Sequence, residues 1–155
     1  MLSKLSRGYK VSSSGAGLAV LCFFLPWIRV SCAGQSVDLS GWQLAAGTTV
    51  GSGFGAQRVP GEPILFLVLL AGLGVLALAY FSLQRGYLTE LDGLGVIGLG
   101  ALPLLVLFIK FSGTREQAAQ LGFVVEYRYG LWGVILGYIA VIVGGVMNMR
   151  DQQST

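Results

Sequence analysis

The sequence predicts an all-α membrane protein, a bundle of four transmembrane helices with a small extracytoplasmic β-hairpin or sheet between helices 1 and 2. Three observations lead there. Of 155 residues, 54% are apolar and only 11% charged, and the mean hydropathy is +0.74, outside the range of soluble globules. Four apolar runs, at about residues 14–30, 63–83, 93–111 and 130–149, approach the roughly 20 helical residues that cross about 30 Å of hydrocarbon. Between them lie two longer connections, 31–62 and 112–129, and the first carries the most patterned polar sequence in the chain. The whole, 1–155, reads as a single membrane domain.

The inventory also excludes functions. The net charge is +3, and the ten Lys and Arg are scattered rather than massed, which argues against nucleic acid as a partner. With no histidine and two cysteines, no metal or cofactor site of recognisable spacing exists. Cys22 and Cys32, separated by roughly 15 Å if the intervening chain is helical, are not expected to form a disulfide. Cys32 is therefore expected to be an unpaired thiol. Lys4, Arg7 and Lys10 before an apolar run resemble a signal peptide, and Val30-Ser31-Cys32 resembles the end of a lipoprotein box. Arg29 and Pro26-Trp27 do not fit that box, so retention as a first helix is expected.

In chain order, the basic tail at Lys4, Arg7 and Lys10 favours a cytoplasmic N-terminus, and an even number of spans then places the C-terminus on the same side. Counted over the whole chain, the ten Lys and Arg divide evenly between the two sides, so the orientation rests on the tail. Small residues at Gly15, Ala19 and Cys22 give the first span a face for close helix approach. Pro26 is expected to weaken that helix near its outer end, and Trp27 to anchor at headgroup depth. Ile28 to Cys32 and Gln35 to Leu39 alternate as strands about an Ala33-Gly34 turn. Ser40 is placed to cap a short helix from Gly41 to Ala46 that Gly47 ends, with Trp42 and Leu44 folding back on the hairpin or the membrane surface. Thr48 to Gln57 holds too much glycine to specify one backbone. Trp27, Cys32, Ser40, Gly41 and Trp42 thus form an expected outer-loop platform.

The second span opens with Pro63 at a favourable first helical position, and the short polar loop from Gln84 to Asp92 makes it an antiparallel neighbour of the third. Gly93-Leu94-Gly95-Val96-Ile97-Gly98 matches the letters of a dinucleotide fingerprint, but no strand precedes it and no acidic residue follows at the required distance. Glycine for helix packing explains it better. Pro103 is a candidate kink, and Lys110 can extend its charge to the interface. In the second outer loop, Thr114 and Gln117 suggest a capped helix from Arg115 to Leu121. Phe123 to Tyr129 reads either as a strand added to the hairpin or as an early start of the fourth helix. That helix carries Gly130, Gly133, Gly137, Ala140 and Gly144 in one stripe, seating either another helix of the bundle or a second protein.

At the first loop the chain resembles the claudin-type four-helix class, through Trp27 just beyond the first helix and the pair Gly41-Trp42. It lacks the leucine of the claudin Gly-Leu-Trp stretch, and no cysteine follows, so barrier or channel function is not carried over. Leu25-Pro26-Trp27, Ser40-Gly41-Trp42 and Tyr129-Gly130-Leu131-Trp132 resemble corresponding stretches of small bacterial four-span proteins. That resemblance implies the topology and a cell-membrane location, and no activity.

Ionisable groups are missing from the span centres, which disfavours proton-coupled transport, and no nucleophile, base and orienter share a supported spacing. The expected function is therefore a non-enzymatic accessory or structural subunit acting through helix packing and its outer loops. Its expected partners are membrane lipids and proteins of a membrane complex or further copies of itself. An oligomeric channel or small-solute transporter is the alternative, and lipid interaction through the outer loops a third.

Overall fold

The computed structural model describes residues 7–32, 35–50, 57–85, 90–112 and 124–153. Among these, three helices are long and apolar enough to cross a membrane, over Pro63–Ser82, Gly93–Phe111 and Tyr129–Arg150. They belong to α3 (Phe66–Arg85), entered through a 3-10 turn at Pro63–Leu65, to α4 (Glu90–Phe111) and to α5 (Tyr129–Gln153). A further helix, α1 (Arg7–Phe23), has 17 residues, about 25 Å at 1.5 Å per residue.

The first helix departs from expectation at both ends, beginning at Arg7 rather than at residue 14 and ending at Phe23 rather than at 30. Its start is earlier because Gly8, Tyr9 and Ser12 are buried against neighbouring helices, so tertiary contact holds a turn that its own hydropathy does not. Its end is earlier because Pro26 terminates the helix rather than kinking it. Proline has no N–H to donate and crowds the carbonyl four residues back. That carbonyl, Cys22 O, accepts instead from Leu25 N at 3.2 Å and from the indole Nε1 of Trp27 at 2.9 Å.

The chain then enters β1 (Pro26–Cys32), which pairs antiparallel with β2 (Gln35–Ser40). Their register runs from Ile28 opposite Leu39 to Cys32 opposite Gln35, with an irregularity between Pro26 and Ile28. This bulge makes Trp27 and Ile28 consecutive inward-facing residues, 0% and 6% exposed, where regular alternation would turn one of them outward. On its other side β1 pairs antiparallel with β5 (Val124–Tyr127), giving the strand order β2-β1-β5. Of the two readings of Phe123 to Tyr129, the strand is the one adopted. A second two-stranded sheet joins β3 (Thr48–Val50) to β4 (Gln57–Val59). For Thr48–Val50 and Gln57 this corrects the expectation of an unspecified backbone, since strand pairing orders them; residues 51–56 of that stretch lie outside the described residues. The turn at Ala33-Gly34 and the helix expected from Arg115 to Leu121 lie outside the described residues.

The four long helices pack side by side and alternate in direction. Ser12 Oγ donates to Val141 O at 3.1 Å between α1 and α5, Ser82 Oγ to Tyr9 Oη at 3.2 Å between α3 and α1, and Tyr138 Oη to Val68 O between α5 and α3. Along α4 and α5, Gly93 lies beside Met149 and Gly100 beside Ile142. The core between them is aliphatic and aromatic, with Phe23, Trp27, Val68, Val75, Val96, Val134, Tyr138 and Val141 fully or almost fully buried.

Candidate functional site

The most elaborated surface is the end of the bundle that carries the sheet. Period-two alternation divides that sheet into two faces. Ile28, Val30, Val37, Leu39, Val125 and Tyr127 pack onto the core, while Arg29, Asp38 and Glu126, partners in adjacent strands, point away from it. Arg29 holds Asp38 in a two-pronged ion pair, Nε to Oδ1 and Nη2 to Oδ2, both 2.8 Å. Arg128 Nε stands 3.5 Å from the same Oδ1; it has no hydrogen-bond partner among the described residues, so that contact is ionic. The Arg29 hydrogen bonds, which outweigh the opposing effect of desolvation, lower the Asp38 pKa to about 2. The same bond raises Arg29 above its ordinary value. Being solvent-exposed, the pair orients the strands more than it stabilises them.

Beneath the sheet, Trp27 plugs the bundle. Its ring lies edge-on to Phe23 at 5.4 Å, and glycines close over it from two directions. A Cβ on Gly41 would fall 2.6 Å from the indole, and one on Gly130 would fall 2.9 Å from Trp27 Cδ1 and 2.5 Å from Pro26 O. This corrects the expectation that Trp27 anchors at headgroup depth. Its aromatic face is spent on packing, and its single N–H is satisfied within the chain.

The platform continues into the short helix α2 (Gly41–Ala46). Ser40 Oγ accepts from Gln43 N at 3.2 Å while Gln43 Oε1 accepts from Ser40 N at 3.0 Å, a reciprocal capping box. Gly47 ends the helix at φ 81°, a backbone that L side chains rarely adopt. Trp42 is 46% exposed. It bridges the ends of α1 and α3, stacked on Phe24 at 6.0 Å and edge-on to Phe66 at 5.3 Å. Lys110, at the last turn of α4, pairs with Glu62 at 2.6 Å, tying that helix to the entry of α3. The β1 backbone reaches Cys32, whose side chain lies outside the described residues, whereas Cys22 is a free, buried thiol.

The small-residue stripe of α5 faces α1 and the start of β1 along its whole length. Gly144 sits against Gly8 and Ser12, Gly137 against Gly15 and Ala19, Ala140 against Gly15, Gly133 against Cys22, and Gly130 against Pro26 and Trp27. These approaches are backbone to backbone: a Cβ on Gly15 would lie 2.5 Å from Gly137 O. The stripe is thereby occupied within the chain. Ser12, which bonds α1 to α5, and Tyr138, which bonds α5 to α3, were not marked by the sequence pattern; a hydroxyl inside an apolar span is the signal that points to them.

On the side of α5 away from α1, a cleft of about 340 Å³ opens between α4 and α5 under the edge of the sheet. Leu104 and Leu107 form one wall, Leu131 and Ile135 the other, and Ser112 and Tyr127 stand among its lining residues. Among the described residues no three His, Cys, Asp or Glu side chains come together as a metal site.

No protein-family model matches this chain, and neither a curated protein nor a solved structure is detectably similar to it.

Proposed function

We propose that the chain is a four-span protein of a cell membrane, with both termini cytoplasmic and the sheet outside, serving as a non-enzymatic accessory or structural subunit. In this reading α1 is the remaining span. Its length of about 25 Å is extended at the sheet end by Phe24 and Leu25, and antiparallel packing on both α3 and α5 aligns it with helices long enough to cross. The helix-packing stripe, taken up by α1, leaves the sheet end as the surface for a protein partner or a second copy.

The observation that carries the reading is the two-faced sheet. Its inner face is committed to the core, its outer face is ordered by Arg29, Asp38 and Arg128, and among the described residues neither β2 nor β5 has a second strand beside it. Unpaired strand edges recruit extended segments of other chains. The channel alternative gains no support from the span interiors, where Ser12 and Tyr138 spend their hydroxyls on carbonyls of neighbouring helices.

The test is cross-linking of the membrane-embedded protein through a photoreactive residue in place of Ser36 or Glu126, followed by extraction in a mild detergent and mass measurement. A discrete cross-linked partner or homo-oligomer from these positions is expected. A monomer carrying only lipid, with no cross-link from either position, contradicts the proposal.

A further inference from the structure

We infer that the cleft between α4 and α5 is a binding site for one acyl chain of a bilayer phospholipid. This inference does not depend on any protein partner. The two helices are held close over one half of their length and apart over the other. Away from the sheet, glycines bring them together: a Cβ on Gly100 would meet Ile142 Cγ1 at 2.8 Å, and one on Gly145 would meet Ile97 Cγ1 at 2.8 Å. Toward the sheet, branched residues replace the glycines, with Leu104 and Leu107 facing Leu131 and Ile135 across the gap. Buried Pro103 stands at the changeover, where the missing N–H frees a turn of the helix to diverge.

The cleft is therefore built into the helix pair, and its medium decides the occupant. Both helices are long and apolar enough to cross a membrane, and Phe108 and Trp132 at its mouth are 75% and 57% exposed. An apolar cavity gives water no partners and stays dry, while an empty one forfeits the dispersion contacts of its walls. Hydrocarbon from the surrounding bilayer satisfies both conditions, since lipid tails are as apolar as the leucines that line the gap. The volume, 340 Å³, lies within the roughly 300–1,000 Å³ of small-molecule sites. Polar atoms gather at the sheet end, where Tyr127 Oη donates to Phe111 O at 3.1 Å and Ser112 Oγ to Ile109 O at 3.3 Å. A chain that enters from the bilayer thus meets an apolar lining, with the hydroxyls of Tyr127 and Ser112 already spent on backbone carbonyls.

Trp132 in the lining gives a direct readout. The full-length protein with Trp42→Phe, in vesicles of phosphatidylcholine, is titrated with phosphatidylcholine brominated on one acyl chain, and tryptophan quenching is followed. The comparison protein also carries Trp132→Phe and places the probe at Leu136→Trp, on the exposed face outside the cleft. With the emission of buried Trp27, present in both proteins, subtracted as a common background, quenching of Trp132 is expected to be several-fold greater than at position 136 at low brominated fractions and to saturate. Filling the cleft with Leu104→Phe and Ile135→Phe is expected to reduce it to the level of position 136. Equal quenching at both positions of the unfilled protein overturns the inference, as does protection of Trp132 from the lipid, the result expected if a protein segment fills the gap. Quenching by a brominated fatty acid but not by the phospholipid overturns the assignment to phospholipid. If the filled variant does not fold, the comparison of the two probe positions still decides.

Discussion

Replacing Gly137 by alanine adds one methyl group where the backbones of α1 and α5 nearly touch. The new Cβ would lie 2.7 Å from Gly15 O, 2.9 Å from Ala19 N and 3.0 Å from Ala19 Cβ. None of these atoms belongs to a side chain that can rotate away, so the helices themselves must separate. Reaching ordinary contact at 3.4 Å requires about 0.7 Å of movement at the carbonyl, the difference between 3.4 and 2.7 Å. One turn further along α5, the Ser12 Oγ to Val141 O bond is already 3.1 Å long, and the same movement takes it beyond hydrogen-bonding range. Overpacking costs roughly 1–3 kcal/mol and a lost hydrogen bond about 1 kcal/mol, so Gly137→Ala is expected to destabilise by about 2–4 kcal/mol. Gly17→Ala on α1 is the matched control, because a Cβ there meets nothing within 4 Å. Its only effect is the helix preference for alanine over glycine, a gain of roughly 0.5–1 kcal/mol. Unfolding both variants by SDS titration, followed by near-ultraviolet circular dichroism, makes the comparison. Equal stabilities for the two variants would refute the backbone-to-backbone packing of α1 on α5.

Three further outcomes follow from the sheet end. Trp27→Phe removes one of the two donors to Cys22 O and leaves a void in the plug, and is expected to cost about 2 kcal/mol in the same titration. Ser40→Ala breaks one arm of the capping box and is expected to cost about 1 kcal/mol, seen as a red shift of Trp42 fluorescence as α2 loosens over Phe24 and Phe66. The folded pKa of Asp38, about 2, lies below its ordinary value of 3.8, so its ion pair contributes fully above the ordinary value and is lost as pH falls through the folded one. Stability measured from pH 5 to 2 should therefore fall less steeply in Asp38→Asn than in the parent protein, and identical profiles would contradict the pairing.

The elements that the sequence made legible are those whose signal is local. Apolar runs mark α3, α4 and α5, alternation marks Ile28 to Cys32 and Gln35 to Leu39, and Ser40 with Gln43 marks a capped turn. The elements that escaped depend on partners distant in the chain. Gly8, Tyr9 and Ser12 look like a polar tail until α5 and α3 bury them, and this moves the start of α1. Pro26 and Trp27 look like a kink and an interfacial anchor until the bulge and Cys22 O make them a terminator and a plug. The glycine-rich stretch after Thr48 contains strand residues that only the pairing with Gln57–Val59 reveals. For the candidate site, the α5 stripe and Ser40-Gly41-Trp42 were readable as patterns, but no spacing rule distinguishes a stripe that seats α1 from one that seats another protein. The cleft was not readable at all, because it arises from where the glycines of two separate helices stop.

The central claim is that α1 crosses the membrane, so that the sheet and the two termini lie on opposite sides. Single cysteines at Arg7→Cys, Ser36→Cys and Gln84→Cys, in a protein with Cys22→Ala and Cys32→Ser, test it through labelling of intact cells with a membrane-impermeant maleimide. The four-span reading predicts that Ser36→Cys is labelled in intact cells, and that Arg7→Cys and Gln84→Cys are labelled only after permeabilisation. Labelling of Arg7→Cys from the same side as Ser36→Cys would show that α1 does not cross, and would contradict it.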